Sequence, residues 1–420
     1  MTRSANSELR LRILFVTSVY PHAKEYGAQQ RVLNLCRILR SHGDVSIGLL
    51  ASRPVDADSL QRTLAEFADT TVVVPEVTPL LSLAERARFE LDPDFLNASF
   101  FRISDVDRQL VLAKSHASDL TWIHTIRTAN ECGIYRWPRS ILDLDDIPSH
   151  LNHSAARLHA NAIRKLLSHR MAMIWRRREG RVDRRFDLVT VCSDADRDYL
   201  GGRHDICVVP NGFPTPGSQP RRAPANPPRI GFIGWFQGQP NVEGVTWFIR
   251  QVWPQIKRKA PLARLRLVGG DTDRDFSADG PDVDGLGYLD DPSEEIGTWR
   301  TMIVPIRVGG GTRVKVAQAF SRNCPVVSTS LGVYGYAVEN GSELLIADDA
   351  DSFAAACLRL IEDTALATRI ADSACQKFLR HWTWEAVQGS VACALATLKR
   401  AEGSELRHLP AIAAPPTHRI

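Results

Sequence analysis

Nowhere in this 420-residue chain do apolar residues run to the roughly 18 to 20 positions that a membrane-crossing helix needs, which argues against an integral membrane protein. Residues 1–8 hold no apolar core, and the apolar run over residues 11–17 is short and soon followed by Pro21. No secretory signal peptide is read there, and a cytoplasmic location is expected. The eight cysteines, at positions 36, 132, 192, 207, 324, 357, 375 and 393, form no C-x-x-C pair. That spacing argues against a zinc site or a disulfide framework and for buried, reduced thiols. The P-loop pattern G-x-x-x-x-G-K-S/T is missing, and G-x-G-x-x-G follows neither of the two strands that open an α/β cycle.

What is present is an ordinary globular composition, 44% hydrophobic and 24% charged, in a chain too long for one core. Two domains of roughly 200 residues each are expected. Net charge is only +4 but unevenly spread: residues 157–185 carry ten Arg or Lys against Glu179 and Asp183. A basic, partly apolar helical stretch of this kind suits either a solvated helix face or contact with an anionic membrane surface or a phosphate-bearing acceptor. No nucleic-acid partner is expected.

Strand, loop and helix open the chain: an apolar run over residues 11–17, a loop with Pro21 and Gly27, then helical spacing over residues 31–39, closed by His42 and Gly43. Strand-like runs follow at 45–50, 71–74, 120–124, 140–144, 187–191 and 206–209, with helical stretches between most of them. This is the rhythm of a parallel α/β sheet. Residues 210–228 hold too much Pro and Gly for a packed element and read as a linker. A second cycle begins at 229–234, with a helix over 242–259 and strands at 265–268, 301–305, 325–329 and 343–346. The predicted organisation is an N-terminal domain 1–209, a linker 210–228, a second domain 229–381, a long helix 382–400 that packs back on the first domain, and a loose tail 401–420.

The densest chemistry lies where a predicted strand ends in Val304-Pro305 and Gly309-Gly310-Gly311-Thr312-Arg313-Val314-Lys315 enters a helix. Such a turn offers free backbone N–H groups and the positive end of a helix to an anion. Arg313 can grip phosphate oxygens in pairs while Lys315 acts as a mobile point charge, so together they suit a diphosphate. The alternative is a flexible connector whose cations face water. Gly231 and Gly234 open the end of another strand, either for ligand approach or for close helix packing.

Val208-Val209-Pro210-Asn211-Gly212, Phe232-Ile233-Gly234 with Pro240-Asn241-Val242, Leu267-Val268-Gly269, Gly287-Tyr288-Leu289-Asp290-Asp291, the Pro305 to Lys315 stretch and Pro325-Val326-Val327-Ser328-Thr329 share an order and spacing with a known family. In these segments the chain resembles the family 4-type GT-B glycosyltransferases (glycosyl transferases group 1). The resemblance is densest over residues 208–349, while Leu142-Asp143-Leu144-Asp145-Asp146 and residues 187–194 resemble a bacterial sugar transferase subgroup. It implies a GT-B fold, two Rossmann-like domains facing across a cleft. It further implies retaining transfer of a sugar from a nucleotide-diphosphate sugar to an acceptor hydroxyl, without an essential metal or other cofactor, the UDP- or GDP-sugar being a substrate.

Carried over by position, Arg313 and Lys315 would bind the donor diphosphate together with Gly234, and Gly27 would let the first loop approach the donor phosphate. Tyr288 and Leu289 would meet the base, Gln318 the ribose, and Gly309, Gly310, Gly311 and Thr312 would form the donor-sugar loop. The resemblance implies a glycan, lipid-linked or small-molecule acceptor, and the basic stretch 157–185 would allow peripheral contact at the inner face of the cell membrane. Two departures stand out. Many relatives have two glycines where this chain has Tyr26-Gly27-Ala28, and the paired acids common in the family are Gly310 and Gln318 here.

His124 closes the strand over residues 120–124, where an imidazole can orient donor or acceptor or simply complete the fold. Asp145 is the candidate general base, although Asp143, Asp145 and Asp146 can equally cap turns. Strand alternation puts Asp143 and Asp145 on one side and Asp146 opposite. A D-x-D metal site belongs to a different transferase fold, and no metal is expected. A GT-B sugar epimerase would need well-placed acids that are missing here, whereas a noncatalytic relative fits Gly310 and Gln318.

Overall fold

Leu11–Thr17 (β1) alternates its apolar side chains between two cores. Ile13 and Phe15 join one buried cluster with Val32, Leu35, Val387 and Val391, while Leu14 and Val16 join a second with Ile123, Leu142 and Trp137. A strand buried on both faces reads as a continuous apolar run, the mark of a parallel sheet covered by helices on each side. The structure, a computed structural model, describes residues 10–22, 27–51, 64–78, 81–96, 101–157, 161–203, 205–217, 222–236, 238–270, 272 and 282–405, the side chains of 401–405 excepted. Of the expected loose tail 401–420, residues 401–405 instead continue the closing helix, and 406–420 lie outside these residues.

The first sheet joins β1 to Gly43–Leu50 (β2), Asp69–Val73 (β3), Leu120–His124 (β6), Ser140–Leu144 (β7), Leu188–Val191 (β8) and Ile206–Val208 (β9), in the order β3-β2-β1-β6-β7-β8-β9 and parallel throughout. Glu76–Val77 (β4) and Phe101–Arg102 (β5) form a separate antiparallel pair. The second sheet is also parallel, in the order β12-β11-β10-β13-β14-β15. Its strands are Arg229–Ile233 (β10), Arg264–Val268 (β11), Val283–Gly285 (β12), Trp299–Val304 (β13), Val326–Ser328 (β14) and Leu345–Ile346 (β15). Chain order reverses between β1 and β6 and again between β10 and β13, and a doubly wound sheet opens its ligand crevice at such switch points.

The helix Trp384–Glu405 lays Trp384, Val387, Val391, Ala394 and Leu395 into the core of the first sheet, beside the helix Gly27–Arg40. Phe213 fastens its start, because its N–H donates to the Trp382 carbonyl and its own carbonyl accepts from Trp384. The helix read over residues 242–259 is not uniform. It runs Gln239–Trp247, widens into a π turn over Phe248–Val252 and resumes as Trp253–Lys259. Pro254 has no N–H for the carbonyl four residues back and its ring crowds that carbonyl, so the turn before it loosens. Most thiols are buried as expected, but Cys207 and Cys375 are half-buried and Cys393 is exposed.

Candidate functional site

Both switch points open on one cleft. On the second domain, β13 delivers Pro305 and the glycine loop, and the helix Val314–Ser321 begins immediately after Arg313. Gly309 and Gly311 take φ of +118° and +71°, a region that glycine enters without penalty. Lys315 is 9% exposed. Its Nζ donates to Asn241 Oδ1 at 2.7 Å and lies 4.9 Å from the centre of the Phe232 ring. Among the described residues no carboxylate lies within ion-pair distance of Lys315 or of Arg313. Burial and the neighbouring Arg313 push the Lys315 ammonium down to about 7, and burial lowers Arg313 as well. Two adjacent cations without a counter-anion form a site made for one.

The residues around them set that geometry. Tyr336 Oη donates to the Arg313 carbonyl at 2.9 Å. Asn241 in turn donates from Nδ2 to the Trp235 carbonyl at 2.7 Å, which fixes its Oδ1 towards Lys315. A Cβ on Gly234 would stand 3.1 Å from that Nδ2, so Gly234 leaves room for the asparagine that orients the lysine. Asn241 lies 74 residues from Lys315, and its role was not readable from spacing. Gln318 is half-buried, one turn further along the same helix. Tyr288 is 72% exposed and Leu289 packs partly against the core of the second domain.

On the first domain, Gly27 begins its helix across the cleft, where a Cβ would come 3.1 Å from Val314 Cγ2. The glycine loops of the two domains therefore approach each other closely. Tyr26 lies outside the described residues. His124 pairs in register with Thr17 at the β1/β6 switch point. It is fully buried rather than lying open at the crevice edge, and neither ring nitrogen has a hydrogen-bond partner. Its Nε2 stands 3.8 Å from Asp145 Oδ2.

The three aspartates separate by environment. Asp143 forms a fully buried two-bond pair with Arg31, Nη2 to Oδ1 at 2.7 Å and Nε to Oδ2 at 3.0 Å, and also accepts from Thr190. Arg31 further donates to the carbonyls of Val209 and Pro210 and to Asn211 Oδ1, tying the start of the linker to the first sheet. Burial alone would lower the Arg31 guanidinium, but the charge of Asp143 holds it above its ordinary value. Asp145 accepts from Cys192 and Asn211. Burial would raise its carboxyl, yet the adjacent His124 ring and Arg31 hold it well below the usual carboxylate range.

Asp146 points the other way, as strand alternation predicts, and meets the glycine loop: a Cβ on Gly311 would lie 2.5 Å from Asp146 Oδ1. Its side chain is exposed to the cleft. Crowding, with the charges of Asp145 and Asp196, pushes Asp146 up to about 6 against the opposing charge of Arg313.

Three hydrogen bonds stitch the domains beside this cluster. The Gly309 N–H donates to Ser154 Oγ at 2.6 Å, Asn211 Nδ2 donates to Thr312 Oγ1 at 2.9 Å, and Tyr334 Oη donates to Asp196 Oδ1 at 3.0 Å. Among the described residues no group of three His, Cys, Asp or Glu side chains is placed to hold a metal ion.

Two Rossmann-like domains facing across a cleft, with the ligand loops at both switch points, define the GT-B glycosyltransferase fold. Residues 227–363 match the family described as glycosyl transferases group 1. The chain is 26% identical over 133 residues to an uncharacterized protein in the cps region of Klebsiella pneumoniae, a match covering 29% of this chain and 34% of that relative. The shared part thus spans about a third of the relative's length.

Anabaena HepE, solved with UDP and glucose, superposes with a TM-score of 0.60 at 17% identity, covering 92% of this chain and 100% of its own. Sucrose-phosphate synthase from Thermosynechococcus elongatus superposes with a TM-score of 0.64 at 16% identity, covering 93% and 100%. At these identities the superpositions speak for the fold.

Proposed function

We propose that this protein is a retaining glycosyltransferase that moves a sugar from a nucleotide-diphosphate sugar to an acceptor hydroxyl in glycan, polysaccharide or glycoconjugate synthesis. The carrying observation is the pair of half-buried Arg313 and buried Lys315, two cations without a carboxylate partner among the described residues at the mouth of a cleft. The diphosphate of a UDP- or GDP-sugar fits between them and the glycine loop, and no separate cofactor is needed. As the bond from the anomeric carbon to the phosphate oxygen breaks, negative charge grows on the leaving diphosphate, and fixed cations stabilise that charge more than the ground state. The acceptor hydroxyl approaches from the first domain, where Asp145 stands beside the buried His124 at the switch point. HepE, whose structure holds UDP, shares the fold and supports a nucleotide donor.

Titration calorimetry with UDP, GDP and ADP, followed by turnover of the matching sugar donors, tests the reading. One nucleoside diphosphate should bind at micromolar concentration, and replacing both Arg313 and Lys315 by Ala should abolish binding and transfer. Unchanged turnover in that double variant would overturn the assignment.

A peripheral membrane contact fits the same reading. The helix Ala162–Glu179 exposes Ile163, Leu166 and Leu167 at 69%, 68% and 46% beside Arg164, Lys165 and Arg170. Apolar side chains rimmed by cations suit an anionic lipid surface and a lipid-linked acceptor at the inner face of a cell membrane. Among the described residues no helix is long and apolar enough to cross a membrane.

A further inference from the structure

We propose that Asp146 is the carboxyl group that reads the hydroxyls of the donor sugar, supplied across the cleft by the first domain where the sugar loop of the second has Gly310. This inference rests on the glycosyltransferase reading and names a specificity residue for it.

The acids around the cleft differ in what they already hold. Asp143 is committed to Arg31 and Thr190. Asp145 accepts from Cys192 and Asn211, Asp196 from Ser193 and Tyr334, and Glu179 from Ser149. Asp146 alone among these five accepts no hydrogen bond from a described residue and forms no ion pair, although its carboxyl faces the cleft. A carboxyl group at a crowded site without a donor is a vacant acceptor for hydroxyls.

The glycine loop is shaped around that carboxyl. Gly311 sits at φ +71°, and any side chain there would place its Cβ 2.5 Å from Asp146 Oδ1. Glycine at 311 is required by its backbone conformation, and it lets the carboxylate approach the loop. At Gly310 a Cβ would stand 3.6 Å from the Cα and Cβ of Leu151 in the helix Pro148–Ala156, in ordinary contact. The same helix carries Ser154, which holds the Gly309 N–H, and it starts two residues after Asp146. Carboxyl and loop therefore keep a fixed separation.

The sugar of a nucleotide-diphosphate donor hangs directly from the phosphate. A carboxyl group that meets the glycine loop at Gly311, near Arg313 without pairing to it, lies beside the proposed diphosphate site from which that sugar would hang. The titratable groups acting on it are Asp145, Asp196, Arg313 and His124. With a carboxyl lifted to about 6, the group can accept from a sugar hydroxyl when ionised and donate to one when protonated.

The test compares two ligands on the full-length chain by titration calorimetry: a free nucleoside diphosphate (UDP or GDP) and its hexose conjugate (UDP-glucose or GDP-mannose). Asp146→Ala and Asp146→Asn should leave the affinity for the nucleoside diphosphate within about twofold and weaken the conjugate by about tenfold or more, the loss of one charge-assisted hydrogen bond. Unchanged thermal melting of both variants shows that folding is preserved. Equal affinity of variant and parent for the conjugate, or equal weakening of both ligands, would overturn the role of Asp146. Failure of the parent chain to bind any of these ligands would instead sink the glycosyltransferase reading, and the inference with it.

Discussion

Lys315 Nζ donates to the neutral Asn241 Oδ1 at 2.7 Å, and a buried ammonium so placed holds its proton weakly, giving it up at about 7. An incoming diphosphate favours the charged form, so binding takes up a proton once the pH exceeds the free value. Nucleotide affinity should then fall by up to about tenfold per pH unit between roughly pH 7.5 and 9.5, a window in which the phosphate itself is fully ionised. Calorimetry across that window measures the slope, and Lys315→Arg should flatten it because guanidinium keeps its proton. A flat profile in the unaltered protein would contradict the weak proton affinity of Lys315.

The same shift has a consequence for stability with the opposite sign. The folded-state value lies below the ordinary 10.5, so the unfolded chain binds more protons between about pH 7 and 10.5. The contribution of Lys315 to the ligand-free protein therefore improves as pH rises through that window. Denaturant midpoints of the parent and of Lys315→Met, compared at pH 7 and 9, should converge at the higher pH.

Arg31 and Asp143 are both fully buried, and each satisfies the other. Removing one partner leaves an uncompensated charge in the core, which costs about 3 to 5 kcal/mol, more than the pair itself contributes over an apolar replacement. Asp143→Ala and Arg31→Met should each lower unfolding stability by that amount. Arg31→Met should in addition loosen Asn211, whose Oδ1 it holds, and so weaken the link to Thr312. A double-mutant cycle in guanidinium chloride reads the coupling directly.

The exposed apolar turn at the start of the helix Ala162–Glu179 gives a vesicle test. The protein should sediment with phosphatidylglycerol-containing vesicles, more at low salt than at high, and much less with pure phosphatidylcholine. Leu166→Ser combined with Leu167→Ser should abolish sedimentation without changing the melting temperature, since both side chains are already exposed. Retained sedimentation would remove this helix from any membrane role.

What could be read from the sequence divides along local and non-local lines. β6 and β7 were legible to the residue, because each is an apolar run bounded by polar signals. Arg313 and Lys315 were legible because the glycine turn, the cations and the helix that follows lie within a dozen residues. Asn241 and Ser154 were not, since they reach Lys315 and the glycine loop through tertiary contact alone. Arg31 did leave a signal. It sits one helical turn before Leu35 and two before Leu39 on the buried face, and a charge on an apolar stripe calls for a buried partner. The partner, Asp143, is 112 residues away and was read as a turn cap or a base.

Gly244 offers a prediction whose sign depends on the structure. In an exposed helix interior, glycine to alanine gains roughly 0.5 to 1 kcal/mol by lowering the entropy of the unfolded chain. Here the helix Gln239–Trp247 presses on the strand end, and a Cβ on Gly244 would lie 2.4 Å from the Pro305 carbonyl oxygen and 3.1 Å from its carbon. Those are backbone atoms and cannot swing aside as a flexible side chain would, so the clash outweighs the propensity gain, with overpacking of this kind costing about 1 to 3 kcal/mol. Pro305 also begins the segment that carries the glycine loop and Arg313, and any relief by backbone movement shifts that loop and its cations. Gly244→Ala should therefore lower the denaturation midpoint and weaken nucleotide binding together. A raised midpoint would show that the strand end yields freely, and the close packing of this helix would then no longer explain the glycine.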